Sequence, residues 1–205
     1  MLERVKSKKP IRSLTGEIWR TNKSNKKRLA KDFDNKCAYC DDLDIYSGGY
    51  NVYHVEHFAP KEKFKELEFT YDNLLYSCPY CNISKSNKWV SSSPEENVIG
   101  NKGFIDPCTD EYDLHLERDG QGNIVYKTSL GKYMHEELKL YLKRHKIFYN
   151  LERIRVKRNL LKEKIAEKKQ NKEDYVALEE FYKELCVVFC EYYDLIFEEE
   201  FEHIS

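Results

Sequence analysis

Cys37-Ala38-Tyr39-Cys40 and Cys78-Pro79-Tyr80-Cys81-Asn82 bracket a segment that carries Glu56-His57-Phe58-Ala59-Pro60 and Tyr71-Asp72-Asn73-Leu74-Leu75. Each C-x₂-C knuckle turns tightly enough to aim two thiolates at one ion, and four sulfur ligands suit Zn²⁺ in a structural role. Residues 41–77 separate the knuckles, more than the about 15–20 residues of a compact ribbon. The spacer therefore reads as an inserted unit. A site closed by Cys37, Cys40, Cys78 and Cys81 leaves no open position for substrate, so its zinc would hold the fold and leave the chemistry to the insertion.

That insertion has the parts needed to hydrolyse a phosphodiester. An imidazole near neutral pKa can take a proton from water, and one divalent ion can neutralise charge developing on phosphate and leaving oxygen. Glu56 and the side-chain carbonyl of Asn82 are hard oxygen ligands suited to Mg²⁺ or Mn²⁺. In this reading His57 is the base, Asn73 orients it by bonding backbone around the strand turn, and Lys85 and Lys88 meet nucleic-acid phosphate. His54 either shares the Glu56 side of the strand and assists the metal, or is a strand-surface histidine.

The order C-x₂-C, E-H-F-x-P, N-L-L, C-x₂-C-N-x₂-K over residues 37–88 resembles the HNH endonucleases. The resemblance implies a ββα-metal unit, often braced by a zinc bound to four cysteines. It makes His57 the general base, Asn73 the middle motif residue, and Glu56 with Asn82 the ligands of the catalytic metal. Many members have Asp where Glu56 stands and His where Asn82 stands. Outside the motif, the basic N-terminal helix, the continuation to Lys61, and Gly103-Phe104-Ile105-Asp106-Pro107 ahead of a hairpin and a helix with Arg153 and Arg158 resemble the HNH effector subunits of bacterial Septu-type anti-phage systems and of related retron systems. Such effectors work beside an ABC-like ATPase, which implies that the long C-terminal helices dock a partner.

The rest of the chain is read from charge and period. Charged residues make up 35% of the 205 residues, and the net charge is −1. The high charged share implies a thin core, and the overall balance by itself points to no partner. The balance hides strong segregation. Residues 1–36 carry 12 Lys/Arg and 4 Asp/Glu, residues 153–172 carry 9 and 2, and residues 173–205 carry 1 and 11. Both basic stretches admit two readings, a phosphate-tracking face or a solvated one, and the second can also pair with the acidic end, including Glu198, Glu199, Glu200 and Glu202.

Residues 17–34 have helical character, residues 50–58 read as a strand after the Gly48-Gly49 turn, and residues 112–126 read as a hairpin across Asp119–Gly122. Tyr133–Lys169 is helical in two pieces, with Ile147, Leu151, Ile154, Leu161 and Ile165 on one face of the second. Tyr175–Phe197 is another helix, striped with Leu178, Phe181, Leu185, Phe189, Tyr192 and Ile196. Cys186 and Cys190 read as helix packing, Cys108 as a lone turn residue, and His115, His135, His145 and His203 as surface.

These readings give an α+β chain, mainly helical, around a ββα-metal unit braced by a Cys₄ zinc site. Its parts are a basic helical arm (1–36), an HNH unit (37–89), and a hairpin with long helices for partner or substrate docking (90–205). The odd cysteine count, the basic N-terminus with no apolar stretch behind it, and the lack of any long apolar run point to a reducing, cytoplasmic setting. The function expected is metal-dependent nucleic-acid cleavage, DNA or RNA, in anti-phage defence. The rival from another class is a noncatalytic zinc-ribbon protein that binds nucleic acid or acts as an adaptor.

Overall fold

The computed structural model describes residues 3–18 and 21–198. It is an α+β chain whose sheets are all two-stranded. Packing divides it after His145 into two units. In the first, the basic arm, the zinc knuckles and the hairpin region share one core, which draws on Val5, Leu29, Tyr39, Tyr53, Phe104 and Leu116.

Helix α1 (Asn22–Asp32) is shorter than the helical stretch expected over residues 17–34. Ile18 instead bridges to Thr70, and the Glu17 carbonyl accepts the Tyr71 N–H. Asp34 and Asn35 end the helix in the left-handed region, at φ 51° and 58°. Strand β1 covers only His54–His57. It pairs antiparallel with β2 (Leu74–Ser77), with His54 opposite Ser77 and His57 opposite Leu74. The register explains why residues 50–53 are not strand: beyond Ser77 the partner chain leaves for the Cys78 knuckle, so no ladder remains for them. Helix α2 (Pro79–Lys85) follows at once, with Cys78 as its N-cap and Pro79 in its first turn, where the missing N–H costs nothing. The succession β1, β2, α2 is the expected ββα unit.

Beyond it come the short pair β3 (Val98–Ile99) and β4 (Lys102–Gly103). The hairpin expected over residues 112–126 is present only in its later part, as β5 (Leu116–Arg118) and β6 (Ile124–Tyr126). Residues 112–115 form the helical turn α3 (Tyr112–His115), which buries Tyr112 completely, and α4 (Ser129–Glu137) follows the hairpin.

The sparse aliphatic composition is offset by buried tyrosines whose hydroxyls all find partners, as amphipathic rings require. Tyr53 donates to the Asp42 carbonyl at 2.7 Å, Tyr76 to Asp44 at 2.8 Å, Tyr71 to Asp32 at 2.8 Å and Tyr112 to the Tyr39 carbonyl at 2.8 Å.

Arg118 is fully buried and donates to the carbonyls of Cys40 (2.6 Å), Gly122 (2.7 Å), Val5 (3.2 Å) and His145 (3.4 Å). It thus joins the N-terminal segment, the first knuckle, the hairpin turn and the start of the following helix. Arg118→Met keeps most of the bulk and deletes the donors. Charge-assisted hydrogen bonds contribute about 1.5–3 kcal/mol each, so this variant is expected to lower unfolding free energy by about 3 kcal/mol or more in urea denaturation. A loss below about 1 kcal/mol contradicts the role.

Helix α5 (Lys143–Gln170) starts in the first unit and continues into the second, which also holds α6 (Val176–Glu198). Ile147, Leu151, Ile154 and Ile165 are buried along the expected face of α5, and Leu161 is half-buried. On α6 the expected stripe is half-buried at Leu178, Leu185, Phe189, Tyr192 and Ile196, while Phe181 is exposed. Cys186 is partly buried but Cys190 is exposed, which corrects its reading as packing. Within this unit Arg158 lies over the Phe189 ring at 4.7 Å, and Lys168 and Lys169 pair with Glu173 and Glu179. Part of the basic stretch is therefore neutralised locally. Residues 199–205, with His203 and the last acidic residues Glu199, Glu200 and Glu202, lie outside the described residues. Among the described residues no helix is long and apolar enough to cross a membrane.

Candidate active site

Cys37, Cys40, Cys78 and Cys81 are buried, reduced, and have sulfur atoms within 4.8 Å of one another. A tetrahedral ion with Zn–S bonds of about 2.3 Å separates its sulfurs by about 3.8 Å. The Cys40 and Cys78 sulfurs lie 3.9 Å apart and all four fall within 4.8 Å, a spacing compatible with zinc. The surroundings suit thiolates. The Cys81 N–H donates to the Cys78 sulfur at 3.4 Å, and the Ser77 hydroxyl lies 3.7 Å from the Cys37 sulfur. The first knuckle is fastened to the sheet through the Ala38 N–H, which donates to the Tyr76 carbonyl at 2.8 Å.

The ββα unit opens on a cleft of about 820 Å³. Glu56, His57 and Asn82 all line it, from the end of β1 and the middle of α2, so two elements bring together three of the expected residues. His57 Nε2 lies 3.0 Å from the Glu68 carbonyl oxygen. A carbonyl only accepts, so in the neutral ring the proton sits on Nε2 and Nδ1 keeps its lone pair. Burial holds the His57 pKa below the ordinary imidazole value, with Lys61 acting in the same sense and the Glu68 carbonyl opposing. At neutral pH the ring is therefore an acceptor, as a base must be.

Asn73 does not line the cleft. Its amide accepts the Ala59 N–H at 2.8 Å and donates to the Ala59 carbonyl at 2.9 Å, and its own carbonyl accepts the Phe58 N–H at 2.9 Å. These bonds brace the turn that leaves β1 immediately after His57.

Glu56 is buried and its carboxyl pKa is raised by that burial, with Lys85 opposing. Lys85 requires a correction. Expected at phosphate, it is instead completely buried, with Nζ 2.8 Å from Glu56 Oε1 and donating to the His57 carbonyl at 3.1 Å. The reason is register: Lys85 ends α2 on the face that packs under β1. Lys88 is exposed and pairs with Glu137 at 2.6 Å, a surface contact of small energetic weight. His54 is exposed and lines the cleft beside Glu56.

Other residues at the site hold no motif position, although Lys23 and Lys26 fall within the basic stretch 1–36 that admits a phosphate-tracking face. Lys23 and Lys26 of α1 line the same cleft, as does Asn87 on the chain beyond α2. The Tyr39 hydroxyl, inside the first knuckle, donates to Glu56 Oε1 at 3.4 Å. His145, expected at the surface, is fully buried with Nδ1 2.7 Å from Asp42 Oδ2, close behind Cys40. His115 and His135 are only partly exposed, and His135 sits 3.0 Å from the Ile124 carbonyl.

Residues 37–88 match the HNH endonuclease family, over the segment that forms the knuckles and the ββα unit. A Septu protein PtuB of Bacillus mycoides is 28% identical over 141 residues, covering 58% of this chain and 46% of that protein. A Septu protein PtuA of the same organism is 27% identical over 133 residues, 56% of this chain and 18% of its own length. A Septu protein PtuB of Bacillus thuringiensis is 33% identical over 85 residues, 41% of this chain and 28% of that protein. The matches span less than half the length of each of these relatives. No solved structure matches the chain.

Proposed function

We propose that this chain is a metal-dependent nuclease of anti-phage defence that hydrolyses phosphodiester bonds of DNA or RNA. The observation that carries the reading is the neutral His57, held through Nε2 by the Glu68 carbonyl and with no hydrogen bond at Nδ1 among the described residues, in one cleft with the oxygen ligands Glu56 and Asn82. Nδ1 takes the proton from the attacking water, and Asn73 keeps the turn beyond His57 in place. Glu56 Oε2 and the Asn82 carbonyl oxygen are the protein ligands for Mg²⁺ or Mn²⁺. When bound, that ion neutralises charge developing on the phosphate and on the leaving oxygen. Lys23, Lys26 and Lys88 contact the substrate backbone, an interaction that weakens steeply with salt.

The zinc of the cysteine quartet stays structural. The C-terminal helices dock an ABC-like ATPase, in keeping with the similarity to Septu proteins and with the exposed apolar residues Val156, Leu160, Phe181, Val187 and Phe197. The setting is the cytoplasm.

Labelled DNA and RNA, incubated with the zinc-loaded chain alone and with an ABC-like ATPase of a Septu-type system, test the reading. Cutting in Mg²⁺ or Mn²⁺ that stops with chelator is the expected result. Tight binding with no cutting in any of these mixtures makes the protein an adaptor.

A further inference from the structure

Glu56 is held from one side only. Two donors, Lys85 Nζ at 2.8 Å and the Tyr39 hydroxyl at 3.4 Å, meet the same oxygen, Oε1. Among the described residues Oε2 takes no hydrogen bond from the protein, and Glu56 lines the cleft. A glutamate arm has one more rotatable bond than an aspartate, and that freedom disperses a ligand oxygen unless something restrains it. Hydrogen bonds from behind are the usual restraint on a ligating carboxylate.

The two donors also share an origin. Tyr39 lies between the first pair of zinc cysteines, and Lys85 ends the helix that the second pair opens. Both therefore reach their places only when the knuckles are folded.

We infer that Lys85 and Tyr39 are positioning residues that fix Glu56 Oε1 and thereby present Oε2 to the divalent cation, so that the zinc knuckles build part of the second metal's site. This rests on Glu56 being a ligand of that metal. A simpler electrostatic view makes the opposite prediction: a buried ammonium beside the carboxylate repels an incoming cation, and removing it tightens metal binding.

Mn²⁺ titration of the zinc-loaded full chain, followed by electron paramagnetic resonance, separates the two without any need for turnover. Zinc content and thermal midpoint are measured first for every variant. Loss of an outer partner commonly weakens metal affinity about 10–100-fold. Lys85→Met is expected to fall in that range, and Tyr39→Phe to weaken binding severalfold with zinc content unchanged. Affinity equal to or tighter than the parent's in Lys85→Met overturns the inference. If Lys85→Met fails to fold, Tyr39→Phe decides alone, and parental affinity there overturns it. Glu56→Gln is the control for the underlying reading. If Glu56→Gln binds Mn²⁺ like the parent, Glu56 is not a ligand; if it loses Mn²⁺ while both positioning variants keep it, only the inference fails.

Discussion

Cys78→Ser is expected to unfold the first unit, not merely to weaken it. Cys78 belongs to the zinc-compatible quartet, caps α2 and follows the last residue of β2, so its loss should release the metal and both flanking elements together. Structural zinc contributes apparent binding free energy of about 10–16 kcal/mol in small zinc domains, and this is folding free energy because the unfolded chain has no site. Whole domains are stable by only about 5–15 kcal/mol. The zinc term is therefore as large as the total, and no rearrangement of the buried tyrosine core can replace it. Metal analysis should show one zinc per parent chain and none in the variant, and circular dichroism should show the cooperative thermal transition of the parent lost. Unchanged zinc content and thermal midpoint in Cys78→Ser contradict the assignment of a structural site.

His57→Ala should behave in the opposite way, keeping the fold and losing the chemistry. Among the described residues the ring makes one hydrogen bond, to the Glu68 carbonyl, and that carbonyl lies in the loop before Tyr71. Its removal is expected to leave zinc content intact. General-base catalysis by a placed side chain contributes about 10²–10⁴-fold, and cleavage should fall by a factor in that range. Because burial already keeps the imidazole neutral near pH 7, raising the pH above neutrality should restore little activity to the parent and none to the variant. A variant that cuts at the parental rate in the same metal places the base elsewhere.

What was legible in the sequence was local. Two knuckles, a strand end carrying Glu56 and His57, and a helix opened by Cys78-Pro79 follow from spacing within a few residues, and the structure assembles them as one ββα unit with a zinc-compatible quartet. The parts that escaped depend on partners remote in the chain. Lys85 reads as a free phosphate-binding lysine until α2 is folded under β1, where Glu56 meets it. His145 has no chemical neighbour in sequence, yet Asp42, more than a hundred residues earlier, buries it. The strand expected over residues 50–58 is cut at His54 because β2 ends opposite it, a limit set by the second knuckle and invisible in the aromatic and β-branched composition of residues 50–58. Net charge misleads for the same reason. Lys23 and Lys26 face the cleft while Lys168 and Lys169 are paired with glutamates, so position and not total decides which lysines are available to phosphate.

The proposed cleft, with His57 as base and Glu56 and Asn82 as ligands, should perform metal-dependent cleavage. Single-turnover cleavage of a labelled nucleic acid by zinc-loaded protein, with an ABC-like ATPase of a Septu-type system added, provides the test when parent and His57→Ala are compared in Mg²⁺, then chelator, then restored Mg²⁺. Cutting by the parent should stop with chelator and return with Mg²⁺, while the variant binds the substrate but cuts about 10²–10⁴-fold more slowly when Mg²⁺ is present. Equal rates for the two proteins, or cutting by the parent that persists in chelator, would contradict it.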